Sequence, residues 1–407
     1  MKVWLAPSPS NKHVLLENGE TAVQQSRQTR FSDFTYVLLQ GSLIIVGSFL
    51  LFVGTHCLAN QFFDNFDDSH KFFQQIMGFK RGETKQLQGM LLEEDRDVDD
   101  AEFDQFETLM KKHDITYTSQ DELIHRYQIF SDNLKRIERA KKASKNTLFD
   151  VNRFTFMSDA ELRTFTMPHH YYMEMVSMLA ARTQHIKQPA APSPKHPASV
   201  DWRTKGVVSR VKDQGKCSSS WAFAVTASIE SMFAIRGHGL EERSEQDLID
   251  CSANFGCNGG NPKISFDYIK ANGQTLEKSY PYAQKRQSCR KNKDHKVKIS
   301  GYKFFPYNES LVADYVASNG PVVVGVALTR NMFSYKGGVF NPSQNDCLKH
   351  HLGFHFLTIV GYGTEKGVDY WLLKNSWGPK AGDKGYIKMK RGVNSCGIGN
   401  WAMAPIL

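Results

Sequence analysis

Between Phe34 and Phe63 the chain has no Asp, Glu, Lys or Arg, and within that stretch Tyr36 to Leu58 reads YVLLQGSLIIVGSFLLFVGTHCL. An uncharged run of this length spans the ~30 Å hydrocarbon core of a bilayer as a helix, so residues 36–58 are predicted to form a transmembrane signal anchor. A cleaved signal peptide is the poorer reading, because the polar stretch 1–35 comes first and the apolar core is long. A buried core helix suits so uniform a run less well still. Arg27 and Arg30 lie before the run, and Asp64, Asp67 and Asp68 lie after it. By the positive-inside rule residues 1–35 are then cytosolic and the bulk of the chain lumenal or extracellular, as in a single-pass type II membrane protein.

Beyond the anchor the chain has the composition of ordinary globular protein. Of 407 residues, 41% are hydrophobic and 23% charged, enough for two or three folded units. The formal net charge of +9 raises the question of a nucleic-acid partner, but the basic residues are scattered and form no block of five or six, so none is expected. Residues 197–407 carry 28 Lys and Arg against 17 Asp and Glu, while residues 59–196 carry 19 against 22. A mildly acidic middle segment is thus suited to dock on a basic C-terminal one, an effect felt mostly in encounter rate.

Residues 59–100 are polar and uneven and run into the acidic stretch Leu91–Glu107, which reads as a tether. In the next segment, 101–196, Glu122, Arg126, Phe130, Asn133 and Ile137 are spaced four, four, three and four apart and share one stripe of an α-helix. Asn152-Arg153-Phe154 lies in a Val/Phe-rich stretch that reads as a short strand. Four prolines between Pro189 and Pro197 preclude helix or central strand, so a linker ends there and a second unit, 197–407, begins.

That unit holds six of the seven cysteines: Cys217, Cys251, Cys257, Cys289, Cys347 and Cys396. An even number on the lumenal side points to three disulfides, and without a Cys-x-x-Cys pair a zinc site is the poorer reading, so no metal is expected. Cys57, at the membrane edge, reads as an inert or lipidated thiol. Asn308-Glu-Ser310 is an acceptor sequon for N-glycosylation.

The strongest local signal is Gln214-Gly-Lys-Cys217-Ser-Ser-Ser220-Trp221-Ala-Phe223, followed by an apolar, helix-patterned stretch to Ile235. It resembles the nucleophile segment of the papain and cathepsin L family of cysteine proteases, whose signature is Cys-Gly-Ser-Cys-Trp. Cys217 and Ser219 match that signature, Ser218 replaces its glycine, and Ser220 replaces its nucleophilic cysteine. Val200-Asp-Trp-Arg203 resembles the mature amino terminus, and Cys251 with Cys257-Asn-Gly259-Gly260 the disulfide loop lining the cleft. Asn375-Ser-Trp377-Gly resembles the asparagine segment, and His355, six residues before Gly361-Tyr-Gly363, the histidine. A slipped register would give that role to His350 or His351. The stripe Glu122 to Ile137 is similar to the family's propeptide motif, with Lys141 in place of its final asparagine. Asp150-Val-Asn152-Arg-Phe154-Thr-Phe156 is similar to a second propeptide motif whose outer glycine and aspartate are here Asp150 and Phe156.

The resemblance implies an α+β, papain-like two-domain fold, a helical domain plus a β-barrel-like domain, preceded by a helical propeptide and the transmembrane helix. It implies disulfides Cys217 to Cys257, Cys251 to Cys289 and Cys347 to Cys396, no cofactor, and a lysosomal or vacuolar location. It implies a cleft lined by Gly259, Gly260, Phe356, Trp377 and Trp401, with peptide or protein substrates or pseudosubstrates and the chain's own propeptide as partners. In that chemistry Gln214 and the Ser220 N–H donate to an oxyanion, His355 moves the proton and Asn375 orients it. A cysteine at a helix N-terminus beside histidine rests as thiolate with a pKa of roughly 3–4, which a hydroxyl cannot match. Losing an essential nucleophile costs on the order of 10⁶ in rate, about 8 kcal/mol. Bulky Phe356 and Trp401 stand where the family keeps small pocket residues and would narrow the main specificity pocket. Two functions are compatible with these residues: a peptidase precursor weakened or silenced by Ser220, and a pseudopeptidase that binds peptides, inhibitors or other proteases without cutting.

Overall fold

The computed structural model describes residues 100–117, 119–168, 170, 171, 173, 197–290, 295–305 and 308–407. The predicted anchor at 36–58, the tail 1–35, Cys57 and most of the Pro189–Pro197 linker lie outside the described residues. Among the described residues no helix is long and apolar enough to cross a membrane.

The N-terminal layer is built on a helix pair, α1 (Asp100–Lys112) and α2 (Gln120–Ala143). The last part of the acidic stretch expected to be a tether is therefore helical. Phe103, Phe106 and Leu109 fall on one face and are buried, while Asp100 and Glu102 at the N-terminus and Lys111 and Lys112 at the C-terminus suit the helix dipole. Phe106, Phe130 of α2 and Phe156 meet with ring centroids 5.1–5.5 Å apart. The strand expected at Asn152-Arg153-Phe154 is also corrected. Strand β1 is Thr147–Phe149, and Arg153–Phe156 is a 3₁₀ turn. Asn152 nucleates that turn, its side chain accepting from the Phe154 N–H while Thr155 Oγ1 accepts from the Asn152 N–H. This reciprocal cap favours a helical start over an extended ladder.

The stripe on α2 holds the turn in place. Asn133 Nδ2 donates to the carbonyls of Thr155 and Met157 at 3.0 and 3.1 Å. Arg126 Nη1 meets Glu161 Oε2 at 2.5 Å on a short helix, α3 (Asp159–Arg163). Burial works to raise the Glu161 pKa, but hydrogen bonds from Arg126 and Ser158 outweigh it and hold the carboxyl at about 2.

In the C-terminal unit, α4 (Ser220–Ile235), α5 (Glu245–Cys251) and α6 (Pro262–Asn272) lie against a sheet. Its further strands are β2 (Val200–Asp201), β3 (Gly301–Phe304), β4 (Val322–Thr329), β5 (Tyr335–Phe340), β6 (His351–Glu365), β7 (Val368–Lys374), β8 (Tyr386–Lys390) and β9 (Ala402–Ile406). They are ordered β1-β5-β8-β7-β6-β4-β9-β3, with β2 added to β6; of these pairings only β5 with β8 is parallel. The architecture is α+β. Strand β1 extends the sheet at the β5 edge, where Thr147 Oγ1 donates to Val339 O at 2.8 Å. Disulfides join Cys217 to Cys257, Cys251 to Cys289 and Cys347 to Cys396.

Phe130 is wholly buried at the centre of the aromatic cluster of the N-terminal layer. Phe130→Ala is expected to lower the stability of the chain by about 3–5 kcal/mol, read by denaturant unfolding. A loss under about 1 kcal/mol would show that the cluster does not hold α1 and α2 together.

Candidate active site

Helix α4 is apolar around its circumference and buried from Ser220 to Met232. It is an interior helix, and its first residue stands where the partial positive charge of the helix N-terminus collects. The approach to it is fixed by the Cys217–Cys257 bond and by the Ser218 N–H donating to Cys257 O at 3.0 Å. Ser220 is 2% exposed, and its Oγ accepts from the Phe356 N–H at 3.2 Å.

His355 comes from β6, paired across to Val326 of β4, and is fully buried. Its Nε2 lies 2.8 Å from Asn375 Oδ1, which also accepts the Ser376 N–H, so this nitrogen carries the proton. Its Nδ1 faces the carbonyl of Phe165 at 3.3 Å. Among the described residues the Ser220 hydroxyl and the imidazole share no hydrogen bond. Burial, only partly offset by the hydrogen bonds with Asn375 and Phe165, pushes the His355 pKa down to about 4. The ring is neutral at pH 6 and above.

Gln214 is wholly buried and locked on every side. Its N–H donates to Ser376 O at 2.8 Å, Ser376 Oγ donates to its Oε1 at 2.7 Å, and Tyr282 Oη donates to its carbonyl at 2.7 Å. Its Nε2 donates to Cys217 O at 2.7 Å and to Phe165 O at 3.3 Å. The Phe165 carbonyl thus sits between two side-chain nitrogens, Gln214 Nε2 and His355 Nδ1.

Phe165 belongs to the chain that leaves α3 and crosses the site. Met167 pairs with Phe354 of β6 through both backbone bonds, at 2.7 and 3.0 Å, and Arg163 Nη1 donates to Leu352 O at 2.5 Å. The ring of Phe165 joins Phe154, Phe333 and Trp377, with Phe333 and Trp377 stacked at 4.6 Å. The opposite wall is Gly259 and Gly260. At φ +112° Gly259 needs a residue without Cβ, and a Cβ there would lie 2.8 Å from Met167 Cγ. A Cβ on Gly260 would lie 2.5 Å from the Trp221 ring.

The structure therefore brings Gln214, Ser220, His355, Asn375, Trp377, Gly259 and Gly260 to one cleft. Phe356 and Trp401 lie behind it, both buried, with ring centroids 6.2 Å apart and Gly325 beneath them. Asn308 stands elsewhere, as the N-cap of α7 (Glu309–Ser318), its Oδ1 accepting the Leu311 N–H. His350 caps α8 (Gln344–Lys349) and His351 starts β6, so the register is not slipped and the imidazole that meets Asn375 is that of His355. Sequence reasoning missed Phe165, Thr166 and Met167, which meet Gln214, His355, Ser218 and Phe354 through backbone groups, and Tyr282 and Ser376. Ser218 and Phe354 carried a signal, a serine at a glycine position and a bulky aromatic where a polar residue usually precedes the histidine.

In comparison with known proteins, the model of the papain family of cysteine proteases matches residues 196–406, and that of the cathepsin propeptide inhibitor domain (I29) matches residues 106–162. A cathepsin L-like proteinase of Phaedon cochleariae is 36% identical over 307 residues, 73% of this chain and 91% of that protein. Pro-cathepsin H of Mus musculus is 35% identical over 308 residues, 74% and 90% of the two chains. Digestive procathepsin L 3 of the Tenebrio molitor larval midgut superposes with a TM-score of 0.65 at 35% identity, covering 76% of this chain and 100% of that one.

The unfolded chain protonates His355 as pH falls through its ordinary 6.5, whereas the folded chain resists until about 4. The ring therefore costs nothing above pH 6.5, and stability is lost between 6.5 and 4, by up to about 3 kcal/mol. In denaturant unfolding across that range, His355→Gln should flatten the acid limb by this amount. An unchanged limb would show that His355 takes up its proton as readily folded as unfolded.

Proposed function

This chain belongs to the papain family of cysteine proteases and carries its own cathepsin-type propeptide; from that premise we propose that it is a membrane-anchored precursor in which Ser220 takes the nucleophile's place and peptide hydrolysis is weak or lost. The observation that carries the reading is the division of hydrogen bonds at the site. Ser220 Oγ accepts the Phe356 N–H, and His355 is spent on Asn375 and faces Phe165. A serine mechanism needs its base bonded to the hydroxyl and must create an imidazolium during attack. Burial of this ring disfavours that charge, and the neutral amide of Asn375 stabilises it less than a carboxylate does.

Gln214, Ser220, His355 and Asn375 are assigned the family's site roles, with Gly259, Gly260 and Trp377 lining the peptide cleft. Phe356 and Trp401 fill the main specificity pocket, in keeping with their burial against each other. The second reading, a pseudopeptidase that holds peptides or other proteases, is favoured by the way the cleft grips residues 164–167 through backbone carbonyls and an amide, which any peptide offers. Residues 36–58 anchor the chain, the peptidase domain is lumenal or extracellular and destined for a lysosome or vacuole, and Asn308 carries a glycan.

The decisive comparison uses the full chain as wild type, Ser220→Ala and Ser220→Cys, acidified and assayed on a mixed peptide library. Ser220→Cys should cleave, exceeding the wild type by on the order of 10⁶, and wild type should match Ser220→Ala. Wild-type turnover clearly above Ser220→Ala makes the serine a working nucleophile and ends the reading. If Ser220→Cys is silent too, the block lies in the cleft itself, at the segment 163–167 that crosses it or at Phe356 and Trp401. For the anchor, alkaline carbonate washing should leave the full chain in the membrane pellet and release a form lacking 36–58; a full chain that washes off contradicts it.

A further inference from the structure

Ser218 has a short polar side chain whose hydrogen-bond partners are main-chain carbonyls of the segment crossing the cleft. It is 6% exposed, its backbone is held to Cys257 O, and its neighbour Cys217 is disulfide-bonded, so the hydroxyl points from a rigid base. Its Oγ donates to Thr166 O and lies 3.2 Å from Thr164 O, a three-centre arrangement with one proton between two acceptors. Thr166 is 3% exposed, so its carbonyl has little recourse to water. Phe165 O, between these two carbonyls, is the atom that faces Gln214 and His355.

We propose that Ser218 is a backbone-reading residue of this cleft: by binding the carbonyls on either side of Phe165, it seats the Phe165 carbonyl against Gln214 and His355 and sets how tightly the prosegment, or a peptide replacing it, is held. The contact reads no side chain of the bound segment, because a hydroxyl on a carbonyl is indifferent to what that residue carries. It also adds a donor just ahead of the helix N-terminus, so that the successive carbonyls of Phe165, Thr166 and Met167 meet Gln214 Nε2, Ser218 Oγ and the Phe354 N–H in turn. Removing the hydroxyl takes the donor from the buried Thr166 carbonyl, and a buried acceptor left unpaired costs more than an average hydrogen bond contributes. The inference rests on residues 164–167 lying in a peptide cleft, but not on whether Ser220 hydrolyses anything.

Hydrogen–deuterium exchange on the full chain tests it, comparing wild type with Ser218→Ala and Ser218→Gly. Both substitutions are smaller than serine, so neither crowds the site. The reporters are the Met167 and Phe354 amides, which donate to each other's carbonyls, and the reference is the interior of α4. Loss of the clasp should speed exchange at Met167 and Phe354 about ten-fold relative to α4. If either variant loosens the whole fold, the ratio still decides: a merely structural role leaves it at the wild-type value and overturns the proposal. If the reading of the cleft itself is wrong, Met167 and Phe354 will exchange freely in the wild type as well, an outcome distinct from protection that Ser218 does not affect.

Discussion

Burial of α4 on all sides is the constraint from which the site follows. A helix without a polar face must lie between other layers, and here it lies between α5 and α6 on one side and β4 and β6 on the other. Thr358 of β6 bonds the Ala224 carbonyl of α4 at 3.1 Å, and the Phe356 N–H two residues earlier reaches Ser220. The same packing that makes the core therefore puts the helix N-terminus against the strand carrying His355. The site is a consequence of layer contact, and its groups are held too firmly to rearrange cheaply.

That rigidity makes the electrostatics asymmetric. A neutral imidazole has one N–H, and both of its neighbours, Asn375 Oδ1 and Phe165 O, are acceptors. The nearer takes the proton, leaving the Nδ1 lone pair towards a carbonyl that cannot donate. A protonated ring would satisfy both, but burial opposes the charge. The carbonyl stays because the rest of its segment is held elsewhere: Met167 pairs with Phe354, Arg163 donates to Leu352, and the Phe165 ring packs with Phe154, Phe333 and Trp377. The segment is thus anchored at several points independent of Gln214 and His355.

Much of this is legible in the chain itself. The spacing of Arg126, Phe130, Asn133 and Ile137 puts them on one helix face, and that face grips the turn at Arg153–Phe156. Gln214 and Asn375, far apart in the chain, are neighbours by motif context and share Ser376 as a common partner. The turn itself reads as a strand because Val/Phe composition cannot show the reciprocal cap between Asn152 and Thr155, a side-chain bond that outweighs propensity over four residues. The acidic stretch hides α1 for a related reason: its charges face solvent while Phe103 and Phe106 face inward, and net charge obscures the periodicity. Nothing in the sequence announces the path of residues 164–167, since their contacts to the cleft are largely main-chain.

At the centre of the cleft stands a serine whose hydroxyl is neither hydrogen-bonded to His355 nor open to solvent. Treating the full chain with a fluorophosphonate at neutral pH and weighing the peptide that contains Ser220 tests this directly. The expected result is an unmodified Ser220 at reagent levels that saturate an activated serine. Stoichiometric phosphonylation of Ser220, abolished by replacing His355, would contradict it.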